Sequence, residues 1–509
     1  MRLSRQNVKS ISIAGVAVPD ESIFSLPEKV LQFGTGVLLR GLPDYFIDKA
    51  NRQGVFNGRI VVVKSTGNGD IGEFEKQDNL YTLCVRGIED NHETEEFIIN
   101  SSISRVLSAK ENWNDVLQCA HNAGLKIIIS NTTEIGIVFS EDNIHSSPPP
   151  SFPGKLLSFL SERYSAFGGT NESGMIIIPT ELITDNGAKL RSIVLELAKW
   201  NQLDAAFIHW LETANHFCNS LVDRIVPGGL SKDVQSDFEK QLGYKDQLMI
   251  MAEPFRLWAI ESGDDEVRRE LSFQQVDEGL VIADSIEKFR ELKLRLLNGT
   301  HAFSCGLAFL AGFKTVKEAM QDSLMTSFMK NLAMNEIAVA VSNGEISYDE
   351  ACTFAGKVMD RFQNPFIDHQ WLNISVQYSS KMKMRNIPLL QQHYKKYSYA
   401  PEYMALGFAG YLLFMRCRKN GNGKYEGQWL DNNYSVEDDF AANLSDRWED
   451  SNVDELVDQI CADKEFWGAD LSLLNGFADT VKNDLHSLLE NGVMNTIRKL
   501  LPNKTVVSS

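Results

Sequence analysis

The chain has 509 residues, too many for one ordinary hydrophobic core, which implies two sizeable domains. Its 50 basic and 68 acidic side chains leave a formal charge of −18, which excludes the broad basic face of a nonspecific nucleic-acid or anionic-membrane binder. Seven scattered cysteines without a Cys-x-x-Cys pair imply reduced thiols and no metal site, and a polar leader lacking a signal-type apolar core points to the cytoplasm.

Lys29-Val-Leu-Gln-Phe33 has the continuous apolar character of a buried parallel strand, followed by Gly34-Thr-Gly36 and a helical pattern through about Asn51. Strand, glycine turn and helix in that order suit a dinucleotide: the first glycine permits the turn and the second lets backbone N–H groups approach a pyrophosphate. Leu39 stands where a third glycine would complete the fingerprint, so on the residues alone a plain loop fits as well. Arg59–Lys64 reads as the next strand. At its end Lys64 and Ser65 replace the acid that normally holds the adenosine ribose, and a lysine there suits a 2′-phosphate.

Further strands are expected at 81–85, 97–99, 125–130 and 175–179, with helices at 112–121 and 155–167 between them. This alternation predicts an α/β, Rossmann-like doubly wound sheet. Asn131, Thr132 and Thr133 follow a buried strand, where ligands of such sheets bind, although a turn of side-chain to backbone bonds is equally compatible. Asp223 and Arg224 are expected to form a structural ion pair.

The stretch 255–279 turns polar and acidic, which places a domain boundary near 284: residues 20–284 form the dinucleotide-binding domain and 285–509 a mostly helical domain. Asp284 and Glu287 are spaced as a capping box. The helix they open carries Lys293, Asn298 and His301, which at about 100° per residue lie along one flank. They can converge on one small ligand, or His301 and Asn298 can be satisfied core groups while Lys293 snorkels to solvent. Helical patterns continue at 316–329, 337–341, 348–361, 404–417, 453–466 and 477–500, with Pro401 at a first helical position and 418–424 as a flexible loop. The apolar run 404–415 is too short to span a bilayer.

Lys293-x-x-x-x-Asn298-x-x-His301 resembles the catalytic signature of the mannitol dehydrogenase family of polyol-specific long-chain dehydrogenases, and the resemblance extends over nearly the whole chain. Val30 to Gly41, Asn131-Thr-Thr-Glu134 and Arg361-Phe-Gln-Asn-Pro365 are similar to further family segments, closest to the branch that acts on tagaturonate. The resemblance implies NAD as cofactor, with Gln32, Phe33, Gly34, Thr35, Gly36, Val37, Leu38, Arg40, Asn131 and Thr132 on the cofactor side. It implies a hexuronate or aldonate substrate, with Lys293, Asn298 and His301 catalytic and Lys381 toward the substrate carboxylate, assisted by Lys383 and Arg385. Polyol-oxidising members have Asp-Asn where Glu181-Leu182 stands and an arginine where Asn373 stands, which weakens a mannitol assignment. Tagaturonate reduction to altronate is therefore the expected reaction. Reduction of fructuronate, oxidation of a neutral polyol, and an NAD-binding sensor without turnover are the alternatives.

Overall fold

Six strands rich in isoleucine and valine build the main sheet of the N-terminal half: β1 (Glu28–Phe33), β2 (Arg59–Lys64), β3 (Ile103–Ser108), β4 (Ile127–Ser130), β5 (Ile176–Pro179) and β6 (His216–Phe217). All neighbours run parallel, in the order β3-β2-β1-β4-β5-β6 typical of dinucleotide-binding folds. Successive side chains leave opposite faces of a strand. Val30, Ile60, Val62, Ile127 and Ile129 accordingly enter one apolar core, while Leu31, Phe33, Val61, Val63 and Ile128 enter the other. Burial on both faces explains the unbroken apolar runs, each fully buried Val or Ile contributing about 1.5–3 kcal/mol before entropy.

The computed structural model describes residues 1–65, 71–132, 136–430 and 432–501. Contacts divide the chain into two units, Met1–Gly87 with Glu93–Ile286, and Ile88–His92 with Glu287–Ser509.

Two sequence expectations about the first unit need correction. The strands expected at 81–85 and 97–99 exist, as Tyr81–Glu89 and His92–Asn100, but outside the main sheet. They join Val16–Ala17 and Ile250–Ala252 in a separate four-stranded sheet. The helix after β1 is also broken. It runs as α1 (Val37–Gly41), then resumes at Pro43 after Leu42, since Pro43 brings no N–H to continue the ladder.

The second unit is mostly helical. Its central crossing pairs α2 (Thr300–Leu310) with α4 (Glu402–Phe414), the intervening α3 being Tyr348–Gln363. Glycine permits the close approach: a Cβ on Gly306 would lie 2.4 Å from the Gly410 carbonyl oxygen. Pro401 is the N-cap of α4 rather than its first residue. Of the stretch expected as a loop at 418–424, residues 420–424 form the turn between Cys417–Lys419 and Tyr425–Trp429, while Arg418 and Lys419 lie in strand; Asn432–Ser435 completes this small antiparallel sheet. All seven cysteines are free. Among the described residues no helix is long and apolar enough to cross a membrane.

Candidate active site

In the first unit, the order of strands reverses between β1 and β4, and the turns following these two strands are laced together. The Asn131 amide donates to the Phe33 carbonyl at 3.2 Å, and the Gly34 amide to the Val63 carbonyl at 2.9 Å. Gly34 has φ +130°, and a Cβ there would sit 2.8 Å from a Leu39 methyl and 3.1 Å from the Asn131 carbonyl oxygen. Only glycine fits that position. Gly36 is different: it is exposed, and a Cβ would meet nothing within 4 Å. A tight first glycine and an open second one fit a dinucleotide pyrophosphate approaching backbone N–H groups.

The residues expected on the cofactor side divide into two groups. Gln32 and Phe33 are fully buried, and Arg40 is 8 % exposed. Arg40 donates to the Thr35 carbonyl at 3.3 Å and the Leu248 carbonyl at 2.6 Å, and it lies over the rings of Phe74 and Tyr81. It thus supports the turn from beneath. Beside it, burial pushes the Asp44 carboxyl up to about 8. Thr35, Val37 and Leu38 are partly exposed. Asn131 donates to the Thr180 carbonyl at 3.1 Å, and the Thr132 amide and hydroxyl donate to the buried Glu181 carboxylate at 2.8 and 3.0 Å. Sequence reasoning missed Glu181 as the anchor of this loop. Thr133 and Glu134 lie outside the described residues. Arg224 donates to the carbonyls of Glu253 and Gly41 and lies over Tyr45, a structural role. Lys64 closes β2 and is 9 % exposed.

In the second unit, Lys293, Asn298 and His301 share one helical run from Glu287 to Leu310, whose middle, Lys293–Gly299, is π-helical. The wider i→i+5 turn changes the angular offsets that a uniform 100° per residue implies, and such turns concentrate at functional sites. Helix formation starts at Glu287, so Asp284 does not cap it; the Asp284 carboxylate pairs with Arg268 at 2.7 Å. Lys293 and Asn298 are partly buried and His301 is 7 % exposed.

A second π-turn, Met382–Asn386, packs against the first. Pro388 has no N–H for the Met384 carbonyl one turn back. Arg295, held by Glu291, donates to the carbonyls of Met384 at 2.7 Å and Arg385 at 2.8 Å. Further along, the fully buried Tyr378 hydroxyl donates to the Ala302 carbonyl at 2.6 Å and accepts the Gly306 amide at 2.9 Å, inserting into the ladder of α2 just beyond His301.

His301 is walled by rings: Phe362 stacks at 4.1 Å, with His369 at 5.1 Å and Trp371 at 6.1 Å edge-on. Among the described residues its buried Nε2 has no hydrogen-bond partner, nor do the buried Trp371 Nε1 and Asn386 Oδ1. Burial holds the His301 imidazole far below the usual histidine range, and His369, Arg385, Arg361 and Lys381 depress it further. His369 is lowered by burial, then by Arg361 and Lys381; Lys381 is lowered by burial, then by Arg385. Orphaned buried polar atoms in a positive field suit an anionic ligand with several oxygens. His369 and Trp371 were not legible as site residues, because no spacing ties them to the Lys293 segment.

A dinucleotide-type sheet in one unit and a helical unit bearing the lysine, asparagine and histidine define an oxidoreductase acting on a CH–OH group. The family model described as mannitol dehydrogenase Rossmann domain matches residues 28–271, and that of the mannitol dehydrogenase C-terminal domain matches 285–489. The chain belongs to the mannitol dehydrogenase family. It is 37 % identical to an altronate oxidoreductase of Halalkalibacterium halodurans over 94 % of each chain. An altronate oxidoreductase of Bacillus subtilis is 35 % identical over 93 % of this chain and 95 % of that one. In fold it resembles Pseudomonas fluorescens mannitol 2-dehydrogenase, solved with NAD and D-mannitol (TM-score 0.66, 23 % identity, 98 % and 99 % coverage). It also resembles a D-sorbitol dehydrogenase (TM-score 0.74, 21 % identity, 97 % and 100 % coverage).

Proposed function

We propose that the chain catalyses the reversible NAD-dependent reduction of D-tagaturonate to D-altronate, a step of hexuronate catabolism. The observation that carries this reading is the electropositive surround of His301, where Arg361, His369, Lys381 and Arg385 are the charged or titratable groups that depress the imidazole. A neutral polyol has no use for such a field, whereas a ketouronate brings a carboxylate that must be paired when it leaves water. The names of the relatives at 35–37 % identity support the same substrate. So does Leu182, an apolar side chain 62 % exposed where polyol-oxidising members have asparagine.

When bound, the cofactor would supply the hydride chemistry, as donor in its reduced form and as acceptor in its oxidised form. Lys293 delivers the proton to the oxygen as the carbonyl becomes an alkoxide, and takes it from the alcohol in reverse. Asn298 and His301 donate to the same oxygen. A neutral His301 gives one N–H without a charge of its own, and a water-poor setting strengthens that donation. Gly34 and Gly36 shape the turn for the pyrophosphate, with Asn131 and Thr132 closing it from the neighbouring loop and Lys381 facing the carboxylate.

The test is a substrate panel with NADH and NADPH. Tagaturonate should have the highest kcat/KM, with NADH preferred despite Lys64. Preference for fructuronate, fructose or NADPH would redirect the assignment, and NADH binding without reduction of any of them would favour a sensor.

A further inference from the structure

We infer that Arg385 is the specificity-determining residue that grips the substrate carboxylate. The inference rests on the function proposed above and deepens it.

Three basic side chains follow Ser380, and the structure distinguishes them. The Lys381 ammonium donates to the Ile374 carbonyl at 2.7 Å, and the Lys383 ammonium to the Glu465 carbonyl at 3.3 Å. Among the described residues the Arg385 side chain makes no hydrogen bond and no ion pair, although it is partly buried. Arg295, one π-turn away, shows the contrast, since its guanidinium is matched by Glu291 and two carbonyls. A guanidinium partly withdrawn from water without a counter-ion carries some desolvation cost, which is recovered when a ligand brings the missing charge.

Its placement is also fixed. The Arg385 carbonyl is held by Arg295 from the catalytic π-turn, and the next residue, Asn386, brings its Oδ1 within 3.2 Å of where a Gly299 Cβ would stand. The guanidinium therefore projects from a backbone clamped to the segment that carries Lys293 and Asn298. Its field reaches both His301 and Lys381. A planar fork of N–H donors matches the two oxygens of a carboxylate, which a single ammonium does not.

The experiment separates binding from turnover. Altronate is titrated into the enzyme–NADH complex, which cannot react, and compared with altritol, in which CH2OH replaces the carboxylate. Wild type should bind altronate the more tightly. Arg385→Gln should weaken altronate by roughly 10- to 100-fold and altritol far less, with NADH affinity retained, as for loss of a charge-assisted pair. Arg385→Lys should fall between them. Equal weakening of both ligands, or altronate affinity within about threefold of wild type, overturns the assignment. Should Arg385→Gln fail to fold, Arg385→Lys decides on the same criterion of a selective loss for altronate. Wild type that binds altronate but reduces no ketouronate refutes the catalytic reading and leaves Arg385 to be judged on binding. Wild type that binds no altronate refutes both.

Discussion

Phe362 stacks on the His301 imidazole with ring centroids 4.1 Å apart and planes 20° from parallel. One face of the histidine is thereby covered by the phenyl ring, and His369 and Trp371 stand edge-on to it at 5.1 and 6.1 Å. The imidazole is held neutral by burial first and by that positive field second.

This has a consequence for stability. The folded pKa of His301 is depressed, so below the unfolded value of about 6.5 the unfolded chain binds a proton that the folded chain does not. Stability should fall as pH drops from about 7.5 through 5.5, with a slope approaching about 1.4 kcal/mol per pH unit for this one histidine. His369 adds to the same trend. In urea unfolding at several pH values, His301→Gln should flatten the profile in that window. An unchanged slope would remove His301 as its source.

The two glycines of the nucleotide turn should respond differently to a methyl group. Gly34→Ala forces a residue with a Cβ to φ +130° and against the Asn131 carbonyl, so a loss of about 2 kcal/mol in stability is expected. Gly36→Ala meets nothing within 4 Å and should fold normally. Its Cβ would stand where a pyrophosphate must approach, so NADH affinity should drop in calorimetric titration. Normal NADH affinity in Gly36→Ala would remove that glycine from the pyrophosphate site.

Lys293→Ala should keep NADH binding and the wild-type fold while turnover falls by on the order of 10²-fold or more, the usual effect of losing a positioned acid–base group. Single-turnover reduction across pH is the informative measurement. Near-normal rates would assign the proton transfer to another group.

The sequence displays best what depends on local pattern. β1, β2, β4 and β5 are legible because burial on both faces demands unbroken apolar runs. β3 escapes because Ser104 and Arg105 interrupt its run, and β6 because two residues carry no periodicity. Membership of a sheet is less local than existence of a strand. Tyr81–Glu89 and His92–Asn100 were therefore recognisable as strands yet assigned to the wrong sheet. At the site, the spacing of Lys293, Asn298 and His301 is visible in the sequence, but the π-turn is not, since it depends on packing against Met382–Asn386. The engagement of Lys381 by Ile374 is equally invisible, because a backbone carbonyl has no sequence signature.

That engagement sharpens the role of Lys381. Its ammonium spends one proton on the Ile374 carbonyl and has two left for a ligand. Lys381→Met should therefore show two effects in kcat/KM. Orphaning the carbonyl disturbs the wall for any substrate, at about 1 kcal/mol, whereas losing a charge-assisted bond to a carboxylate costs roughly 1.5–3 kcal/mol on tagaturonate only. Measuring tagaturonate and fructose on the same preparations separates the two. The double variant with Arg385→Gln then shows whether both side chains serve one carboxylate. If they do, the second substitution acts on a contact already weakened, and the combined loss on tagaturonate should differ from the sum of the single losses by about 0.5–3 kcal/mol. Additive losses, together with equal effects of Lys381→Met on both substrates, would make Lys381 a prop for the Ile374 turn and leave the carboxylate to Arg385 alone.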